Sequence, residues 1–140
     1  MLNLKILILL TLPVILLDEL SKIIAQKYFA VSCNPGLAFG IGEETGGKIA
    51  ALIALILIFF LLVQAKVNKL KIGFALVFAG GLANFVDRLI WGCVRDFIAI
   101  SIFPSFNISD IVISLGLLII FYTIFVSRQR KIGEENDSNF

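Results

Sequence analysis

The sequence contains no histidine, and only 16% of its 140 residues are charged. Without histidine the chain lacks the commonest metal ligand and the commonest general base near neutral pH. Soluble domains have about a quarter charged residues, so this chain has too little polar surface to cover a water-soluble globule. Its net charge of +2 also argues against nucleic acid as a partner. The scarcity of charge therefore predicts a protein whose solvent is lipid.

Cysteine is also rare: the chain has two, Cys33 and Cys93, far apart in the sequence. Two such thiols could pair, but their spacing alone does not indicate a disulfide. We therefore expect both cysteines to be free, and we assign them to no motif.

Apolar residues are abundant, making up 59% of the chain and giving a mean hydropathy of +1.02. A bilayer core of about 30 Å is crossed by about 20 mainly apolar helical residues. Four stretches fit, approximately 4–24, 49–65, 72–90 and 108–126. The first also resembles the basic and apolar regions of a signal peptide, but no small-residue cleavage site follows it. The sequence thus predicts an all-α membrane protein, a single domain (1–140) with four transmembrane helices.

Basic residues are distributed unevenly around these stretches. The loop between the second and third contains three lysines and no acid, and basic residues also precede the first stretch and follow the fourth. Because such residues favour the cytoplasmic side, both termini are predicted to be cytoplasmic, with 26–48 and 91–107 outside. The segment 93–103 predicts a short extended piece in a small outer platform of strands and loops. The polar tail 133–140 is predicted to be disordered.

Ionisable residues within or beside a membrane span are costly, so each is a functional candidate. Asp18 and Lys22 lie four residues apart, the spacing of an ion pair on one helical face. A structural interpretation is that they pair at the interface, with Lys22 extending toward the headgroups. In the third stretch Asn84 and Asp87 share one stripe with small residues, and Arg88 is next to it. Small residues let helices approach closely, so this stripe is predicted to face the bundle interior.

Of two further aspartates, Asp96 lies within the last outer segment and Asp110 lies at the start of the fourth stretch. Each has a structural interpretation. Asp96 could pair with Arg95 or Arg88, and Asp110 could be an N3 acid in a helix capped by Asn107. The predicted topology nevertheless puts both aspartates at one surface, where two close carboxylates would share a proton. One could then activate a water while the other donates to a carbonyl oxygen, which is the most economical hydrolytic machinery for a chain without histidine.

Four blocks of sequence resemble, in their order, those of the bacterial lipoprotein signal peptidases (signal peptidase II). They are DELSK at 18–22, NPGLAFG at 34–40, GGLANFVDR at 80–88 continuing to VRDF at 94–97, and FNISD at 106–110. The resemblance covers about 18–116. One departure is Ala83, where the family often has glycine.

The resemblance implies a membrane aspartic endopeptidase that removes the signal peptide from diacylglyceryl-modified prolipoproteins, cutting just before the lipidated cysteine. It implies that Asp96 and Asp110 are catalytic and that no metal or cofactor is needed. The acyl chains would lie between the helices of a monomer in the bacterial cytoplasmic membrane, surrounded by membrane lipid, with the active site at the outer face. The polar positions that it implies support the site or hold substrate are Asp18, Lys22, Asn34, Gly36, Asn84, Asp87, Arg88 and Asn107.

Two other classes of protein stay open on the sequence alone. A small transporter with a proton relay would be expected to hold its carboxylates near the bilayer midplane, whereas the acids here gather at one surface. In a non-catalytic assembly factor, the polar network would only fix the packing of the helices.

Overall fold

A computed structural model of the protein describes residues 4–36 and 44–137. Long helices dominate it, so the prediction of a mainly helical chain is confirmed. The turn predicted by NPGLAFG lies outside the described residues from position 37 onward. The helices are α1 (Leu4–Tyr28), α2 (Glu44–Gln64), α3 (Asn68–Trp91) and α4 (Ile108–Asp137).

Three helices of the described chain are long and apolar enough to cross a membrane: Thr45–Gln64, Asn68–Trp91 and Ile108–Arg130. Their outer surfaces carry large exposed apolar side chains, such as Phe60 and Phe121, as expected where the surrounding solvent is lipid. The prediction of an integral membrane protein is confirmed to this extent. α1 has 25 residues, but charged residues interrupt its C-terminal half.

Small residues allow α3 and α4 to pack closely. A Cβ atom added at Gly80 would lie 2.6 Å from the carbonyl oxygen of Ser109, and one added at Gly116 would lie 2.7 Å from that of Gly73. These distances are too short for a side chain, so glycine is required if the two backbones are to touch. The predicted small-residue stripe of α3 is therefore a helix contact, which brings the start of α4 beside the end of α3.

Four short strands in the described part of the chain form the predicted platform. α3 is capped at its C-terminus by Gly92, whose φ of 78° is in the left-handed region that favours glycine, and the chain then turns into the strands. β1 pairs antiparallel with β2, so that Asn34 lies opposite Val94, and β3 pairs antiparallel with β4. The strands are β1 (Ser32–Asn34), β2 (Val94–Asp96), β3 (Ile98–Ile100) and β4 (Phe103–Phe106).

The expectation that both cysteines are free is wrong. Cys33 and Cys93 form a disulfide, with their Cα atoms 5.4 Å apart. Their separation of 60 residues carried no signal of this, because the pairing of β1 with β2 is what brings them together. Cys33 lies opposite Arg95, and Cys93 is its diagonal neighbour across the ladder.

The tail prediction is also wrong in part. α4 continues to Asp137, so residues 133–137 are helical, while 138–140 lie outside the described residues. Once a helix exists, each added residue gains a backbone hydrogen bond at little further cost. The segment before the tail is rich in arginine, glutamine and lysine, which are good helix formers, so α4 propagates past its apolar part.

Candidate active site

A cavity of about 740 Å³ lies between α2, α3, α4 and the strands, and Asp96 and Asp110 both border it. Most of its lining is apolar, and the polar groups gather at the end nearest the strands. The polar lining includes Asn34, Asn84, Arg88, Asp96, Ser105, Asp110 and Ser114; the apolar lining includes Ala51, Leu55, Ile58, Val77, Phe103, Ile111 and Ile113.

Asp110 sits in the first turn of α4 and is held there by Asn107. The Asp110 N–H donates to Asn107 Oδ1 at 3.0 Å, and the Asn107 N–H donates to Asp110 Oδ2 at 3.0 Å. This reciprocal pair satisfies N–H groups that the helix start leaves open, so the capping interpretation of Asp110 is confirmed. Its other oxygen, Oδ1, accepts from Asn84 Nδ2 at 2.8 Å. Capping therefore fixes the orientation of Asp110 at the cavity.

Asp96 ends β2 and is 3% exposed. Its Oδ1 accepts from Asn107 Nδ2 at 2.7 Å, and the Asn34 side chain also hydrogen-bonds to it. Burial and then the charge of Asp110 raise the pKa of Asp96 to about 6, although the hydrogen bonds from Asn107 and Asn34 and the charge of Lys22 act to lower it. Asp96 thus holds a proton more tightly than an ordinary carboxyl.

Asn107 joins the two acids. It is fully buried, and its Nδ2 donates both to Asp96 and to Asn84 Oδ1, the latter at 3.1 Å. Because Asn84 in turn donates to Asp110, and Asp110 exchanges hydrogen bonds with Asn107 through their backbone N–H groups, these three residues close a ring of hydrogen bonds. Asp96 is attached to this ring through Asn107. We call Asn84, Asp96, Asn107 and Asp110 the amide–acid network. It brings together two aspartates that are 14 residues apart, with neutral amides between them.

A second cluster, made of charged side chains, lies next to this network. Lys22 Nζ is 2.5 Å from Asp18 Oδ2 and 3.0 Å from Asp87 Oδ2. Arg95 Nη2 is 2.5 Å from Asp87 Oδ1 and 2.7 Å from Glu19 Oε2. We call these five residues the ion cluster. The predicted pair of Asp18 and Lys22 is formed, but Lys22 is fully buried and does not extend toward headgroups, because Asp87 supplies a second carboxylate.

The ion cluster also fixes the backbone that carries the two acids at the cavity. Asp18 Oδ1 accepts from the backbone N–H of Ser109 at 3.0 Å, one residue before Asp110. Asp87 Oδ2 accepts from the backbone N–H of Arg95 at 2.8 Å, one residue before Asp96. The two clusters are therefore coupled through adjacent peptide groups. The structural alternative of a pair between Asp96 and Arg95 is not realised, since Arg95 binds Asp87 and Glu19.

The segment after β1 closes one side of the site. Arg88 donates from Nη2 to the carbonyl oxygen of Gly36 and from Nη1 to that of Asn84, the latter at 3.3 Å. Gly36 N–H also donates to Asn34 Oδ1 at 3.2 Å. Arg88 thus anchors the loop rather than pairing with Asp96, which was the other structural alternative.

Seven of the ten site residues predicted from the sequence lie in the amide–acid network or the ion cluster, and the other three, Asn34, Gly36 and Arg88, are joined by the contacts at Gly36. Glu19, Arg95 and Ser109 were not predicted as site residues from the sequence. Arg95 appeared there only as a possible partner of its neighbour Asp96, because spacing does not reveal which acid an arginine reaches. Within residues 4–36 and 44–137, no group of three or more histidine, cysteine or acidic side chains could hold a metal ion.

Comparison with known proteins places the chain in a family. The family described as Signal peptidase (SPase) II matches residues 10–126. A lipoprotein signal peptidase of Coxiella burnetii (strain Dugway 5J108-111) is 31% identical, over 84% of this chain and 88% of that protein. The lipoprotein signal peptidase of Staphylococcus carnosus (strain TM300) is 33% identical, over 87% of this chain and 92% of its own length.

A solved structure agrees with the fold. A chain described as a bacterial membrane enzyme superposes with a TM-score of 0.76 at 27% sequence identity, covering 91% of this chain and 92% of the other. The family match extends from within α1 into α4, so it includes both polar clusters and the cavity that Asp96 and Asp110 border. The transporter and assembly-factor alternatives are thereby set aside, and the protein belongs to the signal peptidase II family of membrane peptidases.

Proposed function

We propose that the protein is an aspartic endopeptidase that removes the signal peptide from diacylglyceryl-modified prolipoproteins, with Asp96 and Asp110 as its catalytic residues. The observation that carries the proposal is the amide–acid network, in which two carboxyls at one cavity are held by neutral amides around Asn107. Ion pairing would keep both acids charged, whereas neutral donors leave a proton free to move between them.

Burial and the charge of Asp110 raise the pKa of Asp96 to about 6, which supports Asp96 as the proton donor of the reaction. Asp110, both of whose oxygens accept N–H donors, then acts as the base. Asp110 takes a proton from a water, whose oxygen attacks the carbonyl carbon of the scissile bond while Asp96 donates its proton to the carbonyl oxygen. The intermediate then collapses: the amide nitrogen leaves with a proton from Asp110, and the carbonyl oxygen returns one to Asp96.

The shape of the cavity fits a substrate with a lipid part and a peptide part. Its apolar lining comes mainly from α2, α3 and α4, and Asp96 and Asp110 lie among its polar lining. Acyl chains lying against this apolar lining would hold the modified cysteine beside the acids. Arg88, at the polar end of the cavity, is placed to bind the peptide backbone of the substrate, and Asn34 supports Asp96 through its side-chain hydrogen bond. As implied by the family, cleavage would fall just before that cysteine.

We propose that α1 is a fourth transmembrane helix. Its charged residues Asp18 and Lys22 are fully buried against α3, so their charges are not presented to lipid. Its outward-facing side chains include Leu16, Leu17 and Leu20, all more than half exposed. A buried and compensated ion pair removes the main cost of placing this helix in a bilayer.

The proposed orientation follows from the basic residues. Lys66, in the loop between α2 and α3, and Lys69, in the first turn of α3, lie at one end of the bundle, and basic residues favour the cytoplasmic side. α3 then runs to the opposite end, where β2 and Asp96 follow it. Both termini are thus proposed to be cytoplasmic and the active site extracytoplasmic, in a bacterial inner membrane.

The test is processing of a lipid-modified precursor by purified variants in proteoliposomes. Asp96→Asn and Asp110→Asn should each lower kcat by at least about 10³-fold, a loss of about 4 kcal/mol in transition-state stabilisation, while still unfolding cooperatively. Asp137→Asn, an equivalent change at the far end of α4, is the matched control and should process at the normal rate. Normal cleavage by either Asp96→Asn or Asp110→Asn rejects the catalytic assignment.

The substrate proposal needs a separate comparison. A precursor without the diacylglyceryl group should be cleaved at least about tenfold less efficiently than the modified one, because burial of the acyl chains contributes about 0.8 kcal/mol for each CH₂ group. Equal cleavage of the two precursors would reject the lipid requirement and leave the catalytic pair in place.

A further inference from the structure

The Cys33–Cys93 disulfide lies at the edge of the active site. Cys33 directly precedes Asn34, whose side chain hydrogen-bonds to Asp96. Cys93 directly precedes Val94, the residue opposite Asn34 in the ladder of β1 and β2. The covalent bond is therefore one residue from Asn34 on one strand and three residues from Asp96 on the other.

Few other contacts of the described chain hold β1 in place. The strand has three residues, and a two-stranded ladder of that size is at most marginally stable in water. Ser32 Oγ donates to the Asp96 carbonyl oxygen at 3.3 Å and lies 2.5 Å from Ser105 Oγ. Farther along, Gly36 accepts from Arg88. Cys33 itself is exposed, so burial contributes little to holding this strand against β2.

We propose that the disulfide is a positioning element of the active site, which holds the Asn34 side chain against Asp96 so that the two acids keep their productive alignment. This inference rests on the proposed function. Asn34 donates to the acid that protonates the scissile carbonyl, and Cys33 and Cys93 act only through Asn34. Loss of the bond leaves β1 attached by its short ladder, and Asn34 then spends less time in contact with Asp96.

If the disulfide positions Asn34, its loss should change the pKa of Asp96; if it only stabilised the fold, its loss would not. The hydrogen bond from Asn34 acts to lower the pKa of Asp96, as does the charge of Lys22 on α1. Arg88 on α3 and Asp110 on α4 are the other charged groups facing Asp96. When Asn34 departs, these three charges stay in place and the pKa of Asp96 rises. Because Asp96 must be protonated to act, the alkaline limb of the kcat profile should move to higher pH.

The first experiment is a mutant cycle between the disulfide and Asn34. The Cys33→Ser/Cys93→Ser variant should lose about tenfold in kcat, as is common when a catalytic group is slightly misplaced, with KM within about twofold. Asn34→Ala should show a similar loss and the same alkaline shift. The triple variant should be no worse than Asn34→Ala, because effects on one shared contact are not additive. Normal kcat in the serine variant, or losses that multiply in the triple variant, would overturn the proposal.

The second experiment avoids any folding defect caused by substitution. Tris(2-carboxyethyl)phosphine reduces the disulfide to two thiols and is itself oxidised to the phosphine oxide with oxygen from water. The exposed Cys33 gives it access. Reduction of the wild-type protein in proteoliposomes should lower kcat about tenfold, and re-oxidation should restore it, while the serine variant stays unchanged. A fully reduced wild-type protein with normal kcat would reject the positioning role.

These outcomes are distinguishable from failure of the proposed function. If Asp96 and Asp110 are not catalytic, their asparagine variants process precursor normally, whatever the state of the disulfide. If only the positioning role fails, those variants are inactive and reduction has no effect.

Discussion

The ion cluster and the amide–acid network are neighbours, yet they treat their buried carboxyls in opposite ways. In the ion cluster, Asp87 is fully buried between Lys22 and Arg95, at 3.0 and 2.5 Å. In the amide–acid network, Asp96 and Asp110 are bridged by the neutral side chain of Asn107. Both regions are made of aspartate and polar partners, and they differ in whether a cation is within contact distance.

This difference separates a scaffold from a reactive site. An acid that is paired with a cation stays ionised and fixes geometry, and removing its partner is costly because an uncompensated charge is left buried. An acid held by amides keeps access to both protonation states, which proton transfer requires. The two regions touch through adjacent peptide groups at Ser109 and Arg95, so the ionised cluster positions the reactive one.

The largest expected difference between the regions is in stability. Lys22→Met should lower the free energy of unfolding by about 3–5 kcal/mol, because it leaves Asp18 and Asp87 buried without their shared cation. Lys27→Met, at an exposed position of the same helix, is the matched control. Thermal unfolding in detergent micelles measures both, and equal melting temperatures would mean that the cluster does not stabilise the fold.

The next effect has the opposite sign. Asp96 binds a proton more tightly in the folded chain, since its pKa is raised from 3.8 to about 6. Its contribution to stability is therefore full below pH 3.8 and is lost as the pH rises through about 6. Asparagine cannot ionise, so the Asp96→Asn variant does not lose stability as the pH rises. It should therefore be more stable than wild type at pH 8, by at most about 3 kcal/mol.

That gain should shrink toward pH 4, where wild-type Asp96 is protonated. Unfolding measured at pH 4, 6 and 8 on the wild-type and variant proteins checks the trend. A variant less stable than wild type at pH 8 would show that Asp96 behaves like the paired acids of the ion cluster.

A smaller effect is expected at Asn107, where two substitutions distinguish its role as the cap of α4 from its role as a hydrogen-bond donor to Asp96. Serine at position 107 can still cap α4, but it lacks the amide that donates to Asp96. Asn107→Ser should therefore lower kcat about tenfold, or about 1.4 kcal/mol, while Asn107→Ala loses the cap as well and should unfold about 1 kcal/mol more easily than Asn107→Ser. If the two variants had wild-type kcat, the amide would have no part in aligning the acids.

The smallest effect is expected at the partly open edge of the ion cluster. Glu19 is 25% exposed and pairs with Arg95 at 2.7 Å. Solvent screens such a pair, so Glu19→Gln should change the free energy of unfolding by less than about 1 kcal/mol. A loss as large as that of Lys22→Met would mean that Glu19 belongs to the buried scaffold.

The sequence was informative about the polar side chains and less so about their partners. The residues of both clusters stood out because charge and amides are scarce among so many apolar residues, and the family blocks marked the same positions. The pairing of Arg95 with Asp87 rather than Asp96 was not predictable, because an arginine reaches in several directions from one backbone position. The disulfide was missed for a related reason, since strand register decides which distant cysteines meet.

The sequence alone determined that the chain is a helical membrane protein. A chain with so little charge cannot cover its surface with polar groups, and its apolar stretches have the length of membrane-spanning helices. Local spacing determined the cap of α4 and the small-residue face of α3, since both depend on residues within a few turns of one another. Only the tertiary structure decided which acids are paired with cations and which are left to neutral amides. That choice depends on distances of a few ångströms between elements remote in the chain, and it separates the ionised scaffold from the two acids proposed to carry out catalysis.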